Sequence, residues 1–151
     1  MKTTQIVLIA TATAAAPMAL AATAHAEITG YLFQTPSGNI GCTMIDHGDG
    51  TGYAVCRIRD HTWVAPPPGG DCAIEPGGGA GSDLQLFESG PPCVGHWMGQ
   101  IFEAPHLPTL DYGQTHTVGT ITCDSEPSGV TCTATRTGHF FRVSREYYQL
   151  G

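Results

Sequence analysis

The chain has 151 residues, and its 13 acidic residues against six Lys and Arg give a net charge of −7 with His neutral. Lys2 is the only lysine, so from residue 27 onward five arginines face all thirteen acids, a balance that argues against a nucleic-acid partner. An acidic surface suits a cationic ligand, and it also serves plain solubility.

Residues 1–26 read as a secretory signal. Lys2 supplies a short positive start, Ile6 to Ala16 an uncharged apolar run, and Ala24-His25-Ala26 a small-x-small site with cleavage before Glu27. A membrane anchor fits less well: the run is mostly alanine and threonine and is broken at Pro17. No cysteine precedes Cys42, which leaves no site for a lipidated N-terminal cysteine. The expectation is export, to the extracellular space or the cell envelope, with residues 27–151 as a single domain and no transmembrane segment.

That domain is thin in core formers. Ile, Leu, Val and Phe supply 24 residues after Ala26, while Gly and Pro supply 30, a composition near the border of disorder. Six cysteines in an exported chain tip the balance toward a fold held by bridges. Each bridge closing a loop of moderate size stabilises by roughly 3 kcal/mol on the chain-entropy account.

In chain order, Asn39 to Met44 alternates with Ile40, Cys42 and Met44 on one face. His47 to Gly52 (HGDGTG) is a turn, and Tyr53 to Arg59 returns with Ala54, Cys56 and Ile58 on one face. A hairpin with Cys42 bonded to Cys56 follows. Residues 65–83 carry ten Gly or Pro in nineteen positions, which excludes a regular element. This stretch is read as a surface loop pinned by Cys72, with a binding loop or lid as the functional alternative. Asp83 to Glu88 is a short strand stopped by Pro91 and Pro92, and Gly95 to Glu103 is ambiguous between strand and irregular chain.

Gly119 to Tyr148 is the most informative stretch. A turn centred on Pro127 and Ser128 makes Ser125 face Val130, Cys123 face Cys132 and Ile121 face Ala134, with threonines on the opposite face. A register with Gly129 as a bulge would pair Cys132 with Asp124 instead. The first is preferred, because a one-residue slip would spoil both faces. With Cys42–Cys56 and Cys123–Cys132 assigned, Cys72 is left to Cys93. Gly138 to Val143 and Tyr147 to Leu150 complete the pattern. Pro-Ser-Gly occurs at Pro36 and again at Pro127, a weak internal repeat. Short strands, frequent turns and no sustained helical period predict an all-β fold, a small disulfide-stapled antiparallel sandwich or barrel with long Gly/Pro-rich loops.

A set of short motifs runs through the chain: Phe33 to Cys42 (FQTPSGNIGC), Trp63 to Pro68 (WVAPPP), Asp71-Cys72, Tyr112-Gly113, Cys123 to Cys132 (CDSEPSGVTC), Thr137 to Phe141 (TGHFF) and Ser144 to Tyr148 (SREYY). Together they resemble a family of exported actinobacterial proteins classed as a domain of unknown function, over residues 31–150. The resemblance implies a small secreted or envelope-associated domain and brings no catalytic residue with it. Two places depart from the family pattern. Phe140 stands where the family has glycine, and Gly95-His96-Trp97 follows Cys93 in place of a Gly-Asp-Thr-like turn. Both changes add aromatic surface.

Motifs for chemistry are sparse. His96, His106 and His116 recur every ten residues, a spacing that puts them on no single face, and no Cys or His pair has zinc-ligand spacing. No G-x-S-x-G or H-E-x-x-H occurs, each of the six thiols has an expected bridge partner, and no cofactor motif is present. The outward threonines read as a solvated strand face rather than a ligand platform. Arg136, Arg142 and Arg145 lie in the last 16 residues beside His139, Tyr147 and Tyr148. Pairing with acids around the sheet edge accounts for them structurally. Functionally they make an anion-accepting or peptide-binding patch, with His139, Arg142, Arg145 and Tyr148 as its candidates. Alternation places His139 inward with Phe141 and Val143, as a hydrogen-bonded histidine ordering the Thr137-Gly138 turn. The expected function is a secreted, non-enzymatic binding or interaction module whose ligand is an extracellular protein, a peptide or an envelope component. The alternative is a small extracellular hydrolase with a site assembled from loops.

Overall fold

The structure, a computed structural model, describes residues 27–67, 72 and 81–151. Among these the chain is all-β, without a helix, and it folds into two five-stranded antiparallel sheets. The first sheet is a meander of β1 (Thr29–Gln34), β2 (Ile40–Asp46), β3 (Tyr53–Ile58), β4 (Asp83–Phe87) and β5 (Cys93–Gly95) in chain order. The second holds β6 (Thr115–Val118), β7 (Ile121–Glu126), β8 (Gly129–Ala134), β9 (Phe140–Val143) and β10 (Tyr148–Leu150), again each beside the next. Consecutive strands are therefore antiparallel neighbours, joined by short turns except for β3 and β4, which are connected by the long stretch 59–82.

Period-two alternation decides which residues enter the space between the sheets. Cys42, Met44, Ala54, Cys56, Leu84, Leu86 and Val94 come from the first sheet, and Ile121, Cys123, Val130, Cys132, Phe141 and Val143 from the second, all in one buried cluster. Each fully buried Leu, Ile, Val or Phe contributes about 1.5–3 kcal/mol. Cys42 lies opposite Cys56 and Cys123 opposite Cys132, with Cα–Cα distances of 4.1 Å in both pairs. That spacing is close to that of a non-hydrogen-bonded antiparallel pair. The bridges are Cys42–Cys56, Cys72–Cys93 and Cys123–Cys132, and no cysteine is free.

The β7–β8 hairpin takes the register with Ser125 opposite Val130 and Glu126 opposite Gly129, so its turn is Pro127-Ser128 and Gly129 is no bulge. Gly129 has φ +126°, and a Cβ there would lie 2.1 Å from the Val143 carbonyl oxygen. Only glycine lets β9 approach that closely.

Three features differ from the sequence expectations or extend them. β1 and β6, each an edge strand of its sheet, are elements that alternation alone leaves unassigned. Their edges meet where Tyr31 stacks on His116, with ring centroids 3.5 Å apart. Gly95 to Glu103 resolves mainly into irregular chain, with β5 ending at Gly95. It lies against the outer face of the first sheet, where Thr43, Val55, Asp83 and Gln85 are buried as a result. A bidentate ion pair fastens it: Arg57 Nε donates to Asp83 Oδ1 at 2.7 Å and Nη2 to Oδ2 at 2.9 Å. Arg57 Nη2 also donates to the Trp97 carbonyl at 2.6 Å, and the Trp97 amide donates to Asp83 Oδ2 at 2.7 Å. The bond to Asp83 holds the Arg57 guanidinium above its ordinary pKa.

Candidate functional site

At one end of the sandwich the turns of both sheets surround a cleft of about 530 Å3. The β1–β2 turn brings Ser37, Gly38 and Asn39; the end of β3 brings Arg59 and Asp60; the β7–β8 turn brings Glu126 to Gly129; and the β9–β10 turn brings Ser144 to Glu146. Tyr112 completes the rim. The two Pro-Ser-Gly stretches thus line one cavity, from opposite sheets.

Local bonds set the walls. The Asn39 side chain donates to the Asp60 carbonyl at 3.0 Å and accepts from the Asp60 amide at 2.9 Å, tying the first turn to the end of β3. From there the chain crosses to the second sheet. The Thr62 amide donates to the Arg145 carbonyl at 2.8 Å, and Trp63 Nε1 donates to the Ser144 carbonyl at 3.0 Å. Trp63 also packs edge-on against Tyr148, at 4.8 Å between centroids. Ser144 Oγ closes the β9–β10 turn by donating to the Tyr147 carbonyl and accepting from the Glu146 amide. Gly113 and Gln114 bond to the Ser125 backbone and hold Tyr112 beside β7.

The charged groups behave differently from these anchored ones. Arg59 lays its guanidinium over the Phe102 ring at 3.9 Å, an attraction between cation and ring face that aims it without neutralising it. Among the described residues, neither Arg59 nor Arg145 has a carboxylate within salt-bridge distance, and Asp60 and Glu146 have no cation there. The cleft is therefore lined by two arginines and several acidic residues, on walls fixed by backbone bonds.

The C-terminal candidates do not form one patch. Arg145 lines the cleft. Arg142 points from the outer face of the second sheet and donates to Ser128 Oγ at 2.8 Å, with Glu126 Oε2 at 3.9 Å and the Tyr147 ring at 5.8 Å. Tyr148 faces the other way, packing against the core beside Trp63. His139 precedes β9 and is half-buried, with Nδ1 3.3 Å from the Gly151 carbonyl oxygen. The Thr137-Gly138 turn is closed by backbone bonds to the Ala134 carbonyl and not by the imidazole. Phe140 is half-buried because its ring lies over Gly151.

Sequence reasoning missed most of the cleft. Asn39, Arg59, Asp60, Tyr112 and Glu146 come from turns far apart in the chain, and only Arg145 and the repeated Pro-Ser-Gly pointed there. The 65–83 loop lies largely outside the described residues. The three spaced histidines stay apart: His96 lies 3.9 Å from Asp83, His116 stacks on Tyr31, and His106 is exposed. Among the described residues no three His, Cys, Asp or Glu side chains gather as metal ligands, and no helix is long and apolar enough to cross a membrane.

Fold and cleft together define a disulfide-stapled β-sandwich with a polar cleft at its turn end. No protein-family model, curated protein or solved structure matches this chain.

Proposed function

We propose that the chain is an exported binding module that takes a polar, charge-bearing ligand, such as a short peptide segment, in the turn-end cleft. The observation that carries this reading is that Arg59 and Arg145, which have no carboxylate partner among the described residues, line the cleft beside Asp60 and Glu146 on walls fixed by backbone hydrogen bonds. Preorganised walls lower the ordering cost of binding, and unpaired charges of both signs suit a ligand carrying both an acid and a base. Three bridges favour an oxidising compartment, in keeping with the signal-like residues 1–26 and with cleavage before Glu27. Membership of the exported actinobacterial family is part of the same proposal, carried by the motifs between residues 31 and 150. The excess of acids weighs against nucleic acid as the ligand.

The alternative, a small hydrolase, draws support from the three carboxylates of Asp60, Glu126 and Glu146 around the cleft. One experiment separates the two. The domain from Glu27 to Gly151, immobilised, is used to capture material from culture supernatant and cell envelope, and bound species are identified by mass spectrometry. Intact peptides or proteins recovered by the wild-type domain and lost with Arg145→Glu support binding. Recovery of cleaved fragments only, restored to intact ligand by Glu146→Gln, supports the hydrolase.

A further inference from the structure

At the centre of the sandwich two bridges from opposite sheets touch each other. Cys56 Sγ lies 3.9 Å from Cys132 Sγ, and all four cysteines involved are 0% exposed. Both sulfurs are already in disulfides, so neither carries a hydrogen, and the contact is not a hydrogen bond. Cys42 and Cys123 are the outer members of the two pairs, and no contact joins them across the sheets among the described bonds.

From this contact we propose that Cys42–Cys56 and Cys123–Cys132 form an internal thiol–disulfide exchange pair, in which opening either bridge yields an inter-sheet Cys56–Cys132 bridge. The chemistry balances. Because the bridges are 0% exposed, a dithiol reductant reaches Cys42–Cys56 only as the sheets open locally; it then delivers two electrons and leaves as its own cyclic disulfide, giving thiols at Cys42 and Cys56. Deprotonated Cys56 Sγ attacks Cys132 Sγ; the Cys56–Cys132 bond forms as Cys132–Cys123 breaks, and the electron pair leaves on Cys123 Sγ, which takes up the proton. If the reductant opens Cys123–Cys132 first, Cys132 attacks Cys56 and the pair leaves on Cys42. Both routes end with Cys56–Cys132 bonded and with Cys42 and Cys123 as thiols.

Two physical terms favour that product. The attacking sulfur is already in contact with its target, so no chain search is needed. The new bridge spans 76 residues, against 14 and 9 for the two hairpin bridges, and a longer closed loop restricts the unfolded chain more. The fold thus carries a redox-sensitive device. Loss of one hairpin staple is converted into a covalent tie between the two sheets, and the half-reduced protein stays closed. Cys72–Cys93 pairs at the margin, away from this contact, and takes no part.

The test is limited reduction of the folded wild-type domain with dithiothreitol at about pH 8, over the minutes to hours that uncatalysed rearrangement takes. Thiols are then trapped with N-ethylmaleimide, and a non-reducing peptide map is recorded. The expected dominant species, among molecules that keep one of the two central bridges, carries a Cys56–Cys132 cross-linked peptide with label on Cys42 and Cys123. Label in the pairs Cys42 with Cys56, or Cys123 with Cys132, and no crossed peptide, overturns the proposal. The single variants Cys42→Ser and Cys123→Ser give a reductant-free version: each should hold Cys56–Cys132, with the lone thiol at Cys123 or at Cys42. A lone thiol at Cys56 in the first, or at Cys132 in the second, overturns it equally. Should either variant fail to fold, the wild-type map decides alone.

Discussion

Glu88 grips Thr120 across the two sheets: one carboxylate oxygen, Oε1, accepts from both the Thr120 hydroxyl at 2.5 Å and the Thr120 amide at 3.2 Å. The other, Oε2, accepts from the Gly52 amide at 3.1 Å, and Glu88 is only 2% exposed. One side chain after β4 therefore links the β2–β3 turn of the first sheet to the β6–β7 turn of the second. Three donors on one anion hold the Glu88 carboxyl below the ordinary carboxylate range, the Thr120 hydroxyl being the largest cause.

Its sign fixes a pH dependence. A depressed acid contributes stability that is fully present above the unfolded pKa, about 4.3 for Glu, and is lost as the pH falls through the lowered folded value. Denaturant midpoints should therefore drop as pH falls below about 4.3, and Thr120→Val should flatten part of that fall. Glu88→Gln should cost about 2 kcal/mol at neutral pH, because a neutral amide replaces the charge and turns an NH2 group toward backbone donors. An unchanged midpoint for Glu88→Gln at pH 7 would refute the assignment.

The Arg57–Asp83 pair predicts a local effect as well as a global one. Asp83 is 1% exposed and receives both Arg57 and the Trp97 amide, so Asp83→Asn leaves a half-buried guanidinium without its counter-charge. The expected loss is about 2–4 kcal/mol, near the range for breaking a buried pair from one side. Trp97 should loosen with it. In a Trp63→Phe background, where Trp97 is the single tryptophan, its emission should shift to longer wavelength in Asp83→Asn before global unfolding. An emission spectrum identical to that of the parent counts against the clamp.

The covered outer face gives a packing prediction. A Cβ on Gly41 would lie 2.7 Å from Ile101 Cγ2 and 2.7 Å from Phe102 Cε1, so these two side chains need the bare backbone of β2. Gly41→Val should overpack the site and cost about 1–3 kcal/mol, with amide exchange rising around Ile101. Gly90→Ala, where nothing lies within 4 Å of the added carbon, is the contrasting change and should move the midpoint little.

What could be read from the sequence follows from where information is local. Cys123 and Cys132 sit either side of a Pro-Ser turn, and only one register buries both while keeping the threonines out, so pairing and strands came together. Cys42 and Cys56 are fixed by the same parity across a glycine-rich turn. β6 is nearly all polar because it edges the sheet, and in β1 the alternation of Tyr31 and Phe33 is blurred by half-buried Leu32 and Gln34. The packing of Ile101 and Phe102 on Gly41 depends on tertiary contact that no period encodes. For the cleft the limit is topological. Arg145 was visible as part of a basic cluster, but its neighbours Asn39, Arg59 and Asp60 are more than 80 residues away. Parity also divides the cluster, sending Arg142 outward and Tyr148 toward the core.

That division yields the last prediction. If the ligand sits in the cleft, charge reversal at Arg145 should reduce capture at least about tenfold, the cost of about 1.4 kcal/mol or more from losing one charge-assisted contact. Arg136→Glu makes the same change in net charge at the β8–β9 turn, the opposite end of the strands, and should alter capture less than about twofold. Its guanidinium faces Glu88 and Gly50 rather than the cleft. Equal losses from the two reversals would mean that ligand is held by overall charge alone, and the cleft would lose its role. A loss at Arg136 with none at Arg145 would move the site to the other end of the sandwich. Melting curves for both variants separate lost binding from lost fold: Arg145→Glu, at a residue without an ion pair among the described residues, should stay within about 0.5 kcal/mol of wild type, whereas Arg136→Glu sets a like charge near Glu88 and should lower the midpoint.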